Sequence, residues 1–320
     1  MRKFIYYILS LSLIFSAGCT DNVSEESTPK MATIKLRQNG FEAAVIDEDN
    51  LESEQTIKNI TILLTDPSSD IITHKYVNAG FSDVDDYRLV TLPVELSELG
   101  RKDIYVITNY GNSSLQSLTT ISDLKEKTTP AVNKTNNLDP EDGLCMFGKT
   151  LDFDFNNDTN SPAIVYAVRT CAKYRITLTF PDNPTLSTNN TFLIANAANY
   201  TYIVNNTGNS IPSNAYFNFA AESPLLETSN ANEYSNIAYV YEADKAPQMH
   251  IYTHPNNSTT AEEFFADLPI PRRNYLYDIE VQVLDGGTRS LSAGSNSKAQ
   301  FVYNMKVTTY NNEGNVVEPQ

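Results

Sequence analysis

The sequence has no tryptophan, three cysteines and three histidines. Each shortage closes off a class of explanation. Leaving aside Cys19, two cysteines cannot build a disulfide framework. Cys145 and Cys171 leave two states open, one bridge or two unpaired and partly buried thiols, and the second is expected. No Cys/His spacing suits zinc. His250 and His254 are four apart, but they lie in a β-periodic stretch ending at Pro255, which argues for a surface or loop role, and His74 stands alone. No glycine-rich phosphate loop, G-x-S-x-G elbow or H-E-x-x-H motif occurs. Asp152, Asp154 and Asp158 could be pictured as paired acids or a cation site, and β-edge and turn solvation accounts for them better. Without a nucleophile or an acid/base set marked in a pocket, an enzyme is not indicated, and no cofactor or metal is called for. Basic residues are scarce too. Lys and Arg number 23 against 39 acids, a formal net charge of −16, which disfavours nucleic acid and anionic lipid as partners.

What is present begins at the N-terminus. Arg2 and Lys3 precede an apolar run from Phe4 to Phe15, too short for an ordinary membrane span and followed by small residues, as in a secretory signal. Ser16-Ala17-Gly18-Cys19 is a lipobox pattern, so residues 1–18 read as a lipoprotein signal peptide and Cys19 as the acylated first residue. Several acyl chains on one cysteine hold a protein stably to a membrane. Residues 19–30 form a polar, acidic tether.

Hydrophobic content of 41% is enough for real cores, and most of it sits at strand spacing. Ala32, Ile34 and Leu36 alternate with Thr33, Lys35 and Arg37. Gln38 to Glu54 is polar, carries Asp47, Glu48 and Asp49, and reads as a solvated loop. Ile57 to Val77 reads as a hairpin turning at Asp66-Pro67-Ser68-Ser69. Tyr87 to Leu96 is a strand in which Pro93 points to an edge. Lys102 to Gly111, apolar on both faces, reads as a buried central strand. The period then changes: Leu115, Leu118, Ile121 and Leu124 predict one short helix with Ser113 or Ser114 as N-cap. Gly143 to Phe155 starts a new strand, and Asn156 to Pro162 is the candidate domain boundary.

Ala163 to Phe180 is the longest strand signal. From there Ala172, Tyr174, Ile176, Leu178 and Phe180 face one way, and Lys173, Arg175, Thr177 and Thr179 the other. Asn236 to Asp244 and Met249 to His254 read as a hairpin. In Arg273 to Gly287, Tyr275, Tyr277, Ile279, Val281 and Val283 alternate with Asp278, Glu280 and Gln282. In the last strand Phe301, Tyr303, Met305 and Val307 alternate with Val302, Asn304, Lys306 and Thr308. Nineteen tyrosines could line a glycan-binding face, but those in clear strands sit in core phase. The fold class expected is all-β, mainly antiparallel: two β-sandwiches in series, residues 31–158 and 159–320, with one short helix in the first.

Taken in order, these segments resemble the fimbrillin superfamily of Bacteroidetes, the FimA-like major-subunit (type V) pilins. The resemblance is carried by the lipobox at Cys19, the strand Ala32-Thr33-Ile34, "IKNITILLTD", "KDIYVITNYG" running into the short helix, "GLCMFGK", "VYAVRTCAKYRITLTF" and "RRNYLYDIEVQV". It implies transthyretin-like sandwiches and a lipoprotein precursor at the outer membrane. It also implies that an arginine-specific protease removes the lipid and the first strand together. A C-terminal strand of the next subunit then fills the vacated groove by β-augmentation. On this chain the implied cleavage residue is Arg37, the only arginine between Cys19 and Arg88. The implied donor strand lies near 299–310, with Phe301, Tyr303, Met305 and Val307 as plugs; an ordinary last strand of the same chain is the other reading of that segment. The implied partners are other fimbrial subunits and host or bacterial surface ligands. Arg37 ends the first strand slightly earlier than the family's loop site, and the tryptophan common near the end of stalk subunits is missing. The alternative is an uncleaved surface lipoprotein, a fimbrial anchor or tip or a glycan- or protein-binding adhesin.

Overall fold

The computed structural model describes residues 30–38, 52–84, 87–111, 114–132, 138–156, 162–179, 190–205, 211–217, 223–228, 230, 232–253, 262–283, 303–310 and 316–317. The chain is all-β, with several mainly antiparallel sheets and two short helices among these residues.

The first sheet contains β1 (Met31–Gln38), β2 (Ile60–Thr65), β3 (Ile72–Tyr76), β4 (Phe81–Val84), β5 (Tyr87–Glu95), β6 (Arg101–Thr108), β7 (Met146–Asp154) and β8 (Ala163–Arg169). Their order is β3-β2-β6-β7-β8-β1-β5-β4. All neighbours are antiparallel except β1 and β8, which run parallel. Strands from both ends of this order meet in one core: Ile34 and Leu36 of β1, Ile60, Ile62 and Leu64 of β2, Val90 and Leu92 of β5, Val106 of β6 and Val165 of β8. The eight strands therefore curl over, and one continuous sheet supplies both walls. The hairpin expected between Ile57 and Val77 is β2 and β3. The central position of β6 also matches its two apolar faces, since its inner face joins this core while Ile107 packs outside with Leu63 of β2. Pro93 lies in β5 beyond the stretch Tyr87–Val90 that β4 covers, so the strand's outer edge at Pro93 has no β4 partner.

That outer apolar layer is roofed by Leu115, Leu118, Ile121 and Leu124, all buried. The helix predicted across them is shorter than expected. Residues 114–117 form a turn and α2 (Ile121–Lys125) follows, after a single helical turn, α1 (Leu96–Leu99), that the pattern did not suggest. The N-cap is Thr120, not Ser113 or Ser114. The Thr120 hydroxyl accepts from Asp123 N at 3.0 Å, and the Asp123 carboxylate accepts from Thr120 N at 3.1 Å. This reciprocal box starts the helix where a Ser/Thr-x-x-Asp spacing allows it.

The run from Ala163 to Phe180 is two strands. β8 belongs to the first sheet, and β9 (Cys171–Thr179) belongs to the second layer pair. The division between sheets thus falls at Thr170, later than the boundary expected at residue 158. Thr170 N donates to Cys145 O at 3.0 Å and its carbonyl accepts from Glu242 N at 3.1 Å, so one residue hands the chain across. The buried phase changes at the same point, from Ala163, Val165 and Ala167 to Ala172, Tyr174 and Ile176.

The remaining elements are β10 (Thr191–Ala195), β11 (Ala197–Ala198), β12 (Tyr216–Phe217), β13 (Ser223–Pro224), β14 (Leu226–Glu227), β15 (Glu233–Tyr241), β16 (Gln248–Thr253), β17 (Glu262–Asp267), β18 (Leu276–Val283), β19 (Tyr303–Tyr310) and β20 (Val316–Val317). A four-stranded sheet, β13-β10-β16-β17, faces a six-stranded one, β14-β15-β9-β18-β19-β20. Tyr174, Ile176 and Leu178 of β9, Phe192 of β10, Ile251 of β16 and Ile279 of β18 share the core between them. The expected hairpin of β15 with β16 does not form. β15 pairs with β9 and β16 with β10, so the connection carries the chain from one layer to the other instead of turning back within one.

Candidate functional site

β1 is an interior strand inserted between two strands distant in sequence. Ile34 to Gln38 pair with Ala163 to Ala167 of β8, and Thr33 to Arg37 pair with Thr91 to Tyr87 of β5. Both backbone edges are therefore occupied. One face is sunk into the first core: Ala32 and Ile34 are 0% exposed and Leu36 1%. The other face is half-buried, with Lys35 Nζ 3.6 Å from the centre of the Tyr87 ring. Arg37 is the penultimate residue of the strand, and Gln38 Nε2 donates to Gln55 O at 3.0 Å. Taking β1 away would bare the edges of β5 and β8 and open a row of apolar pockets between them, a slot that an alternating strand fills.

At the other end of the chain, β19 pairs antiparallel with β18, placing Tyr303 opposite Val283, Met305 opposite Val281 and Val307 opposite Ile279. Among the described residues its outer edge is paired only at Thr309 and Tyr310, by β20. Phe301 lies outside the described residues, as do Cys19, the acidic residues 47–49, Asp158 and His254.

A second constellation lies where the two halves meet, and the sequence pattern did not reveal its centre. Glu54, expected in a solvated loop, sits in a 3-10 turn, Glu52–Gln55, and is fully buried. Its carboxylate pairs with Lys173 Nζ at 2.8 Å and accepts the Tyr239 hydroxyl, while its carbonyl accepts from Arg169 Nη2 at 2.9 Å. Lys173 and Arg169 are themselves fully buried. Burial and the neighbouring carboxylate push the Tyr239 phenol well above its ordinary range, so it stays a donor. Asn274, at φ 60, accepts from Arg169 N at 3.3 Å and donates from its own N to Cys171 O at 2.7 Å. Arg273 binds Glu242 Oε2 through Nε at 2.7 Å and the carbonyls of Ile203 and Tyr202 at 2.9 and 3.0 Å. The segments Arg169-Thr170-Cys171-Ala172-Lys173 and Arg273-Asn274 are thus neighbours at one junction. The sequence masked it, because Lys173 shares its face of β9 with Arg175, Thr177 and Thr179 and so reads as solvent-facing, whereas its burial demands a partner.

The remaining candidates have structural employment. Cys145 and Cys171 are free and buried, and burial pushes both thiols from 9.0 up to about 12. Asp152 is bound by Arg101, with 2.8 Å between Nε and Oδ1, and Asp154 accepts from Asn156 N at 2.9 Å. His250 Nε2 lies 3.0 Å from Gln248 Oε1. Among the described residues no group of three or more His, Cys, Asp or Glu could hold a metal ion. Several tyrosines are core residues whose hydroxyls reach backbone carbonyls: Tyr174 to Pro269 at 2.6 Å, Tyr277 to Ile270 at 2.7 Å, Tyr241 to Pro130 at 2.9 Å.

Neither a family model nor a curated protein matches the sequence. Solved structures do. A proposed cell adhesion protein from Parabacteroides distasonis superposes with a TM-score of 0.62 at 13% identity, covering 88% of this chain and 98% of its own. The two share a fold. A fimbrial assembly protein from the same organism gives 0.52 at 15% identity over 91% of this chain and 98% of its own. The tip fimbrial protein Mfa3 from Porphyromonas gingivalis, with a C-terminal truncation, gives 0.51 at 11% identity over 86% of this chain and 98% of its own. The all-β architecture expected from the sequence is therefore matched at the level of fold, along nearly the whole length of these structures.

Proposed function

We propose that the chain is a structural subunit of a cell-surface fimbrium, exported as a lipoprotein precursor through Cys19 and joined to its neighbours by strand exchange. The observation that carries this reading is the setting of β1: the first strand fills an interior slot with Ala32, Ile34 and Leu36, and carries Arg37 as its penultimate residue. Hydrolysis after Arg37 would release lipid and strand together. The segment 299–310, with Phe301, Tyr303, Met305 and Val307 at alternate positions, supplies a strand of matching pattern for the slot of the next subunit. The relatives in fold, named for fimbrial assembly, a fimbrial tip and cell adhesion, support a place at the cell surface and other fimbrial subunits as partners. N-terminal mapping of the protein on intact cells tests the reading. The expected mature form starts at Gln38 and runs as a ladder of oligomers in mild denaturant, and Arg37→Ala abolishes both. A population starting only at acylated Cys19 would remove the chain as a stalk subunit.

A second reading, an anchor, tip subunit or adhesin that keeps its lipid, is favoured by one specific observation. Arg37 is engaged within a two-sided ladder, and the polar stretch that follows it up to Glu54 contains no arginine. Saturable binding of a glycan or matrix protein by a stable monomer would support it.

A further inference from the structure

Processing at Arg37 has a structural precondition. Endoproteases take their substrates as extended segments and hydrogen-bond the backbone on both sides of the scissile bond, as a sheet edge takes up a strand. Here those backbone groups are already committed. Ile34 to Gln38 face β8 and Thr33 to Arg37 face β5, so neither edge of the strand is open. The residues ahead of the bond that a protease would have to grip, Ile34 and Leu36, are turned into the core. Beyond the bond, Gln38 is tied to the carbonyl of Gln55. The turn that holds Gln55 is fixed in place by the buried Glu54 pair with Lys173.

We propose that the Arg37–Gln38 bond is latent in the folded chain and becomes a substrate only when the C-terminal end of β1 leaves the sheet. The inference rests on the strand-exchange reading and adds an order of events to it. The strand end opens first; water is then added across the peptide bond, leaving a carboxylate on Arg37 and an amine on Gln38. A folded precursor is thereby stored uncut, and its release is governed by the opening of one strand rather than by access of the protease.

The full chain and a free peptide spanning residues 30–45 are incubated with an arginine-specific endoprotease, and new N-termini are followed by mass spectrometry. The bond in the folded chain should be cut at least about 100-fold more slowly than in the peptide, at a rate that rises with urea well below the unfolding midpoint, as expected for cleavage through a local opening. Leu36→Ala, which loosens β1, should raise the chain's rate at least about 30-fold when each rate is normalised to its own peptide. Cleavage of the native chain at the peptide's rate, insensitive to urea, overturns the inference. Failure of the strand-exchange reading has a separate signature: a chain trimmed at Arg37 that does not take up a peptide of residues 299–310 would sink that reading and leave the latency intact.

Discussion

Glu54 illustrates how much a single side chain can hold together. Its carboxylate neutralises one of two fully buried cations and accepts a phenol, while its carbonyl serves the other cation. Removing it strands Lys173 in a site that cannot solvate an ammonium group. We expect Glu54→Ala to cost about 3–5 kcal/mol in urea unfolding, the range for breaking a buried pair from one side. Glu54→Ala with Lys173→Met should recover most of that loss, because replacing both charges removes the uncompensated one. A double variant no more stable than the single one would show that Arg169 and Tyr239, not Lys173, depend on Glu54. The thiols give a second residue-scale test. Burial raises Cys145 and Cys171 from 9.0 to about 12, so the folded chain keeps protons that the unfolded chain loses in between. Their contribution to stability is intact below pH 9 and declines as pH climbs from 9 towards 12. Both should resist a thiol reagent at pH 8 in buffer and react at once in urea. The urea midpoint of the native chain should also fall more steeply above pH 9 than that of Cys145→Ala/Cys171→Ala.

At the scale of elements, β1 is the strand on which the proposed function turns, and its core face makes it costly to weaken. Leu36→Ala should lower stability by about 2–5 kcal/mol, read from thermal or urea unfolding. Thr120→Ala should cost about 1 kcal/mol through loss of the box that starts α2. β1 and β18 were legible in the sequence because each keeps a period of two against a defined core, and β2 and β6 because each is a short apolar run buried on both faces. Other elements were not, for reasons that are physical. The run through Ala163 to Thr179 keeps strand character across Thr170, and only the shift of buried phase from Ala167 to Ala172 marks the change of sheet. β15 and β16 are close in sequence with alternation on both, and nothing local states whether the link between them turns back or crosses between layers. The roof over β2 and β6 follows the expected spacing at Leu115, Leu118, Ile121 and Leu124, but Thr120 with Asp123 offers a better cap than Ser113 or Ser114 and shortens the helix. Glu54 escaped notice because its partners lie more than a hundred residues away: Lys173, Arg169 and Tyr239 come from β9, β8 and β15. The candidate slot was legible only as an alternating strand ending in arginine; that it is interior, parallel to β8, is a product of topology.

On the scale of the whole molecule, the two layered halves are separated in the chain by one residue, Thr170, and share the Glu54 junction. They should therefore unfold together. A single cooperative transition is expected in calorimetry for the native chain, splitting into two when Glu54→Ala removes the shared contact. Two resolved transitions in the native chain would contradict this. The same arrangement has a mechanical consequence if subunits are joined end to end through the slot. A pulling force entering beside β8 passes along that strand, through Thr170, directly into β9. From β9 it spreads across the parallel ladder to β18. Between the slot and β18 the tension would travel along the backbone and across the parallel β9–β18 ladder, so that the sheets of both halves bear the load.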